Sequence, residues 1–215
     1  MTKVSPVRKR NATVFFLTKI AAGIFLRPFF RLTREGLENL PDNQGFILLP
    51  KHQRWEDIPL LGLAAPKPLY YIAKVELFLN PVSCWLLSSM GGIPLNRSRP
   101  LESRRSLKSV VAFLKNGEGM VIFPEGTYYR DAMGPGQRGL IRMVRSRLKV
   151  PLIPVGVRYE KKGWRSRVCI RFGSPLVDDP GRDPDSLLEK IMSEIALLSG
   201  LEQAGTPEPQ KNINH

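Results

Sequence analysis

Short apolar runs recur along the chain between residues 46 and 172, and helix-like patterns separate them. Each run has the length of a buried strand. The clearest helical pattern is an i, i+3, i+4, i+7 stripe that begins at Leu107 and ends before Asn116-Gly117. Strands that alternate with helices predict an α/β fold with a mixed, largely parallel sheet flanked by helices. The strand-like runs are Phe46–Leu49, Leu69–Ala73, Ile93–Leu95, Met120–Pro124, Leu152–Val157 and Val168–Phe172.

The size of the chain fits one substantial domain with a modest appendage. It has 215 residues, of which 42% are hydrophobic and 24% charged, as is ordinary for a globular protein. We therefore predict a folded domain at residues 36–202, preceded by a helical segment at residues 1–35. The polar residues 203–215 contain two prolines and are predicted to be a flexible tail.

The N-terminal segment carries an apolar stretch between basic residues. Val14 to Leu26 is apolar except for a narrow stripe in which Lys19, Gly23 and Arg27 recur every four residues. As a helix this stretch is about 20 Å long, short of a hydrocarbon core of about 30 Å. We predict an amphipathic helix that lies in or shallowly enters the cytoplasmic face of a membrane, a monotopic association. The alternatives are a helix packed on the protein's own core and a cleaved signal peptide.

The charge balance favours anionic partners. The chain has 33 Lys and Arg against 19 Asp and Glu, a net charge of +14. Nucleic acid, an anionic bilayer and phosphorylated substrates are all compatible with such a charge. Because the chain has no zinc-ligand pattern and no aromatic RNP-like strand, we predict no nucleic-acid partner. The two cysteines lack metal-ligand spacing, and no metal site is predicted.

A histidine and an aspartate five residues apart follow the first apolar run. The chain has only two histidines, and because the other is the terminal His215, His52 is the only plausible imidazole base. On one continuous helix, side chains five residues apart would diverge by about 140°. They can meet if the chain turns between a strand and a helix that opens at Asp57. The carboxylate could then hold one ring nitrogen and leave the other to accept a proton. The alternative is a surface loop in which the two residues are neighbours by chance.

Two later loops also follow apolar strands. The run through Ile93 ends at Arg97, whose guanidinium could bind a phosphate with two hydrogen bonds or simply be solvated. The run through Ile122 is followed by Glu125-Gly126-Thr127, which we predict to form a turn. A carboxylate directly after a buried strand needs a partner, which neighbouring arginines could supply. A strand bounded by Pro151 and Pro154 follows, and such prolines most often indicate only how a strand packs or that it lies at the edge of a sheet.

The order of these motifs resembles the glycerophospholipid acyltransferase family, and within it the 1-acyl-glycerol-3-phosphate acyltransferases. The resemblance covers about residues 40–175. Tyr71–Leu77 is similar to the family's Lys-x-Glu-Leu element, and Arg138–Met143 to its basic stretch with glycine. The family often has a basic residue directly after Glu-Gly-Thr, whereas here Tyr128-Tyr129 precede Arg130.

The resemblance implies roles for individual residues. His52 and Asp57 would form the general-base dyad. Arg97, Glu125, Gly126 and Thr127 would bind the phosphate of the acceptor. Lys74, Arg130 and Arg138 would supply supporting positive charge.

The resemblance also implies a reaction. A fatty acyl group would move from a thioester, acyl-CoA or acyl carrier protein, to the free hydroxyl of 1-acyl-glycerol-3-phosphate, giving phosphatidate. No cofactor, metal or covalent acyl-enzyme is needed. The sequence leaves the donor open, and it also leaves open another acceptor: a lyso-aminolipid, a lysoglycolipid or another lysophospholipid. A non-catalytic membrane-surface protein that retains the fold is a more distant alternative.

Overall fold

The computed structural model describes residues 9–95, 104–139, 150–176 and 183–202. Its strands form one seven-stranded sheet in the order β1-β7-β6-β2-β5-β3-β4. All neighbouring strands are parallel except β6 and β7, which form an antiparallel hairpin. The predicted α/β class with a mixed, largely parallel sheet is thus confirmed. The strands are β1 Phe30–Glu35, β2 Phe46–Pro50, β3 Leu69–Lys74, β4 Gly92–Leu95, β5 Gly119–Val121, β6 Leu152–Lys162 and β7 Arg165–Phe172.

Helices cover both faces of this sheet. Helices α1 and α2 lie on one face, where Leu60, Leu61 and the side chains of alternate strand residues form one buried cluster. Helices α4 and α5 cover the other face and form a second cluster that includes Ile191 and Ile195. The helices are α1 Ala12–Leu26, α2 Asp57–Ala64, α3 Pro81–Ser89, α4 Arg104–Lys115 and α5 Pro184–Ser199, with 3₁₀ turns at Leu37–Asn39 and Val75–Phe78.

The position of β2 at the centre of the sheet explains why its sequence is continuously apolar. All five of its residues are buried. Ile47 and Leu49 face the cluster under α4 and α5, whereas Phe46 and Leu48 face the cluster under α1 and α2. A parallel strand covered by helices on both faces needs apolar side chains at every position. Strands β5 and β6 flank β2, so the loops that follow these three strands meet at one edge of the sheet.

Strand β1 lies in the segment 1–35 that the sequence assigned to the N-terminal helix. It pairs in parallel with β7, from Phe30 opposite Ser166 to Glu35 opposite Arg171. The sheet therefore begins before residue 36. The strand was missed because its apolar residues, Phe30 and Leu32, alternate with charged ones, as expected for an edge strand that faces solvent. The tail at 203–215 lies outside the described residues.

Helix α1 forms as predicted, and its polar stripe packs on the domain. Asn11 caps the helix, because its side chain accepts hydrogen bonds from the N–H groups of Thr13 and Val14. The polar stripe faces the domain: Lys19 donates to the carbonyl of Ala65 at 3.2 Å, and Gly23 passes close to Leu63 of α2. The large apolar side chains that remain exposed on α1 are Phe16, Leu17, Ile20, Ile24 and Phe25. None of the helices in the described part of the chain is long and apolar enough to cross a bilayer.

Candidate active site

The structure brings His52 and Asp57 together. His52 follows β2, and Asp57 is the first residue of α2, so the chain reverses direction between them. The Nδ1 atom of His52 lies 3.2 Å from Oδ2 of Asp57. The histidine is 7% exposed and the aspartate is fully buried. The predicted turn between a strand and a helix therefore produces the pair.

The Asp57 carboxylate is held by three further hydrogen bonds. Its Oδ2 accepts from the backbone N–H groups of Gln53 and Arg54 at 2.6 and 2.7 Å, and its Oδ1 accepts from the Tyr159 hydroxyl at 2.6 Å. Burial and the carboxylate raise the pKa of the Tyr159 hydroxyl, so it remains a donor. These donors fix the carboxylate in place and stabilise its charge.

The imidazole of His52 contacts two aromatic rings. It stacks on Phe123 with ring centroids 3.7 Å apart, and the tilted ring of Tyr128 has its centroid 4.3 Å away. When Nδ1–H donates to Asp57, the neutral ring keeps its lone pair on Nε2. The arrangement can therefore accept a proton at Nε2 while the carboxylate stabilises the imidazolium that results.

Behind the histidine lies a buried ion pair. The Nζ atom of Lys51 is 2.8 Å from both oxygens of Glu125, and both side chains are inaccessible to solvent. Glu125 also accepts from the N–H groups of His52 at 3.0 Å and Gly134 at 2.6 Å. Burial lowers the pKa of the Lys51 ammonium, and the Glu125 carboxylate opposes that shift. The ion pair joins β2 to the loop after β5.

This geometry gives Glu125 a partner other than the one expected. Neighbouring arginines were expected to pair with it, but the observed partner is Lys51. Both carboxylate oxygens are engaged inside the protein, so Glu125 supports the backbone of His52, and its assignment to the phosphate end of the acceptor stays a prediction. The sequence did carry a signal, because a lysine and a glutamate each directly follow an apolar run and each needs a partner when buried.

Gly126 and Thr127 form the turn that follows the buried ion pair. Gly126 has a positive φ of 72°, which favours glycine, and its N–H donates to the carbonyl of Phe123 at 3.2 Å. Thr127 is exposed. Because the next residue, Tyr128, contacts the ring of His52, this turn lies beside the dyad.

The remaining predicted site residues are basic residues outside the dyad. Arg97 lies outside the described residues. Lys74 is exposed at the end of β3, and Arg130 is exposed in the loop after β5. Arg138 is exposed and lies 3.6 Å from Asp185 at the start of α5, and its supporting role stays a prediction.

Gln53 and Tyr159 are parts of the site that the sequence did not indicate. The side chain of Gln53 donates to the carbonyl of Val157 at 2.7 Å and accepts from the N–H of Asp131 at 3.1 Å. It thereby joins β6 to the loop that follows Tyr129. Tyr159 reaches Asp57 only because β6 pairs with β2, a relationship between residues far apart in sequence.

An apolar cleft opens beside the start of α2. Its volume is about 320 Å³, and it lies between α1, α2, α3 and the ends of β3 and β4. Ile58 and Pro59, which directly follow Asp57, contribute to its wall. Other wall residues are Phe15, Ala22, Leu77 and Leu87. Within the described residues, no group of His, Cys, Asp or Glu could hold a metal ion.

Residues 31–158 match the family model described as Acyltransferase. A chloroplastic 1-acyl-sn-glycerol-3-phosphate acyltransferase from Brassica napus is 33% identical over 150 residues, 69% of this chain and 43% of the relative. The Pseudomonas aeruginosa 1-acyl-sn-glycerol-3-phosphate acyltransferase is 33% identical over 212 residues, 90% of this chain and 78% of the relative.

A second Pseudomonas aeruginosa relative is a lyso-ornithine lipid O-acyltransferase, 29% identical over 161 residues, 74% of this chain and 58% of the relative. Among solved structures, the 1-acyl-sn-glycerophosphate acyltransferase from Thermotoga maritima has the same fold, with a TM-score of 0.67 and 23% identity. The match covers 87% of this chain and 77% of that structure. The chain spans less than half the length of the plant relative.

Proposed function

The chain belongs to the acyltransferase family, and we propose that it transfers a fatty acyl group from a thioester to the free hydroxyl of 1-acyl-glycerol-3-phosphate. Family membership confirms the resemblance predicted from the order of the motifs. The observation that carries the proposal is the contact between His52 Nδ1 and Asp57, whose next two residues line an apolar cleft. The product would be phosphatidate.

The proposed chemistry uses the free nitrogen of His52. As the acceptor oxygen attacks the thioester carbonyl, its proton moves to Nε2 and a tetrahedral intermediate forms. The carbon–sulfur bond then breaks, and the imidazolium returns the proton to the leaving thiolate. Asp57 stabilises the imidazolium between these steps. A positioned base of this kind typically accelerates a reaction by about 10²–10⁴.

The apolar cleft would hold the acyl chain of the donor. Its volume of about 320 Å³ lies within the range of small-ligand sites. Because Ile58 and Pro59 follow Asp57 directly, a chain in the cleft would place its carbonyl end near the dyad. Holding both substrates together supplies much of the acceleration in reactions between two molecules.

The exposed apolar face of α1 would bring the site to its lipid substrates. Phe16, Ile24 and Phe25 are each more than half exposed, which is unfavourable in water and favourable in a bilayer. The net charge of +14 would favour an anionic surface. We propose that this face docks on the cytoplasmic leaflet and that the donor arrives there as acyl-CoA or acyl carrier protein.

A second acceptor class is favoured by the lyso-ornithine lipid relative. A general-base dyad needs only a hydroxyl on the acceptor, so the same chemistry serves a lyso-aminolipid. The difference would lie in the loops that contact the head group, including the turn at Thr127.

The test is mass spectrometry of lipid products after incubation with vesicles. Purified protein receives both donor types, and lysophosphatidate and lyso-ornithine lipid are supplied in competition. We expect phosphatidate to be the main product and expect His52→Ala to abolish it while the protein remains folded. A folded protein that acylates only lyso-ornithine lipid would favour the second acceptor, and unchanged turnover by His52→Ala would exclude the mechanism.

A further inference from the structure

A second cavity, here called the basic groove, lies at the C-terminal end of α1. Its volume is about 670 Å³, and it is bounded by the end of α1, strand β1, helix α2 and the start of β7. Four arginines contribute to its lining: Arg27, Arg31, Arg34 and Arg165. No acidic residue does so, and among the described residues these arginines form no ion pair with a carboxylate.

Two of these guanidinium groups are held in place by backbone carbonyls. Arg34 donates to the carbonyl of Ala64 at 3.3 Å, and Arg165 donates through Nε to the carbonyl of Pro28 at 2.9 Å. A guanidinium has five N–H donors, so most of them remain available to a ligand. The basic groove therefore combines positive charge with partly fixed geometry, which suits an oxyanion such as a phosphate.

The rest of the basic groove is apolar. Its floor includes Leu26, Leu32, Leu60 and Leu63. Phosphate alone gains nothing from such a floor, whereas a glycerophospholipid presents a phosphate and hydrocarbon together. The floor therefore favours a lipid ligand over a free anion.

Exposed aromatic residues directly precede three of the residues that line the basic groove, Leu26, Phe30 and Arg165. Phe25, Phe29 and Trp164 are 63%, 52% and 76% exposed. The rings of Phe25 and Phe29 lie 5.9 Å apart, and the guanidinium of Arg165 lies 4.6 Å from the ring centre of Trp164. Exposed aromatic rings next to cations are typical of residues at the boundary between head groups and hydrocarbon.

We propose that the basic groove binds the phosphate head group of an anionic glycerophospholipid of the bilayer, separately from the acyl acceptor. The inference rests on the proposed function only in that it takes the bilayer as the working surface. The bound lipid would fix the tilt of the domain, because α1 and the hairpin of β6 and β7 would contact the membrane at two separated points. Phe30 lines the basic groove, and its ring centroid lies 6.3 Å from that of Tyr159.

Vesicle binding provides the first test. Wild-type protein and the double variant Arg27→Gln/Arg165→Gln are sedimented with vesicles of phosphatidylcholine, with or without phosphatidylglycerol. Because two surface charges are removed, we expect the variant to bind the anionic vesicles about thirtyfold more weakly. The matched control is Lys108→Gln/Lys190→Gln, which removes the same charge from the layer of α4 and α5 and should bind within about twofold of wild type. Equal losses in both double variants would overturn the proposal in favour of diffuse attraction.

A second test identifies the source of the phosphate. Titration calorimetry compares inorganic phosphate with short-chain phosphatidylglycerol below its micellar concentration. We expect the lipid to bind with one-to-one stoichiometry and more tightly than phosphate, and expect this binding to be lost in Arg27→Gln/Arg165→Gln. Equal affinity for both ligands would overturn the assignment to a lipid. If the glutamine variant fails to fold, Arg27→Lys/Arg165→Lys keeps the charge and should still weaken lipid binding, since lysine lacks the planar fork.

Turnover separates this inference from the proposed function. With short-chain substrates in detergent, the double arginine variant should retain wild-type turnover, because neither residue contacts the dyad. If wild-type protein acylates no lysophosphatidate, the proposed function fails. The vesicle and calorimetric results would still test whether the basic groove binds an anionic lipid.

Discussion

The ammonium of Lys51 lies 2.8 Å from both carboxylate oxygens of Glu125, and neither side chain is accessible to solvent. The same carboxylate accepts the backbone N–H of His52, and the same ammonium donates to the carbonyl of Tyr129. This one ion pair therefore fixes His52 and the loop that carries Tyr128, whose ring contacts the imidazole. Its two members follow the neighbouring parallel strands β2 and β5, so the pairing of these strands sets the distance between Lys51 and Glu125.

Replacing Lys51 with methionine should destabilise the protein strongly. The substitution leaves the Glu125 carboxylate buried without its partner, which typically costs about 3–5 kcal/mol. Denaturant unfolding measures the loss, and Lys67→Met is the matched control because Lys67 pairs with Asp42 at the surface. We expect the control to cost less than about 1 kcal/mol. A similar small cost for both substitutions would show that the buried ion pair contributes little.

Asp57→Asn should remove catalysis and preserve the fold. An amide has nearly the shape of the carboxylate but cannot stabilise the imidazolium of His52, and such a change can lower kcat by about 10⁴. KM for the acceptor should change little, because Asp57 is buried behind the ring. Steady-state kinetics give both constants, with the neighbouring Glu56→Gln as control since the Glu56 side chain makes no capping hydrogen bond. A change confined to KM would contradict the assigned role.

Tyr159 should make the protein sensitive to alkaline pH. Burial and Asp57 raise the pKa of its hydroxyl in the folded state. The stabilisation is therefore complete below the usual pKa of about 10 and is lost above it, where only the unfolded chain releases the proton. Above that pH, this tyrosine should reduce the free energy of unfolding by about 1.4 kcal/mol per pH unit. Denaturant unfolding of wild type and Tyr159→Phe across this range should show a shallower decline in the variant, and parallel curves would refute the expectation.

The apolar face of α1 should carry much of the affinity for vesicles. Ile24 is 69% exposed, and burying an aliphatic side chain of this size in lipid contributes about 2 kcal/mol. Ile24→Glu should therefore weaken vesicle binding by at least about thirtyfold without loss of stability. The control is Leu197→Glu, at a residue 73% exposed on α5 in the opposite layer, which should bind normally. Flotation of protein with vesicles measures both, and equal effects would exclude α1 as the docking face.

The sequence predicts those parts of the fold and site that depend on local pattern. Strand β2 is continuously apolar because it is covered on both faces, and the five-residue step from His52 to Asp57 is compatible with one tight turn. Tyr159 could not be predicted, because its contact with Asp57 depends on the pairing of β6 with β2. Lys51 was overlooked for a different reason: its place after an apolar run indicates that it needs a partner when buried, but only the pairing of β2 with β5 shows that this partner is Glu125.

The width of the apolar cleft should set the preferred length of the acyl chain. Ala22 lines the cleft from α1, whereas its neighbour Ala21 is exposed, so the two positions form a matched pair on one helix. Ala22→Leu adds three carbon atoms to the cleft wall and should displace about two methylene groups of a long donor. At about 0.8 kcal/mol for each buried methylene, kcat/KM for the longest donors should fall about tenfold or more relative to short ones. Ala21→Leu should leave the chain-length profile unchanged. Competition between thioesters of different lengths, read by product mass, measures the ratio, and an unshifted profile in Ala22→Leu would place the acyl chain elsewhere.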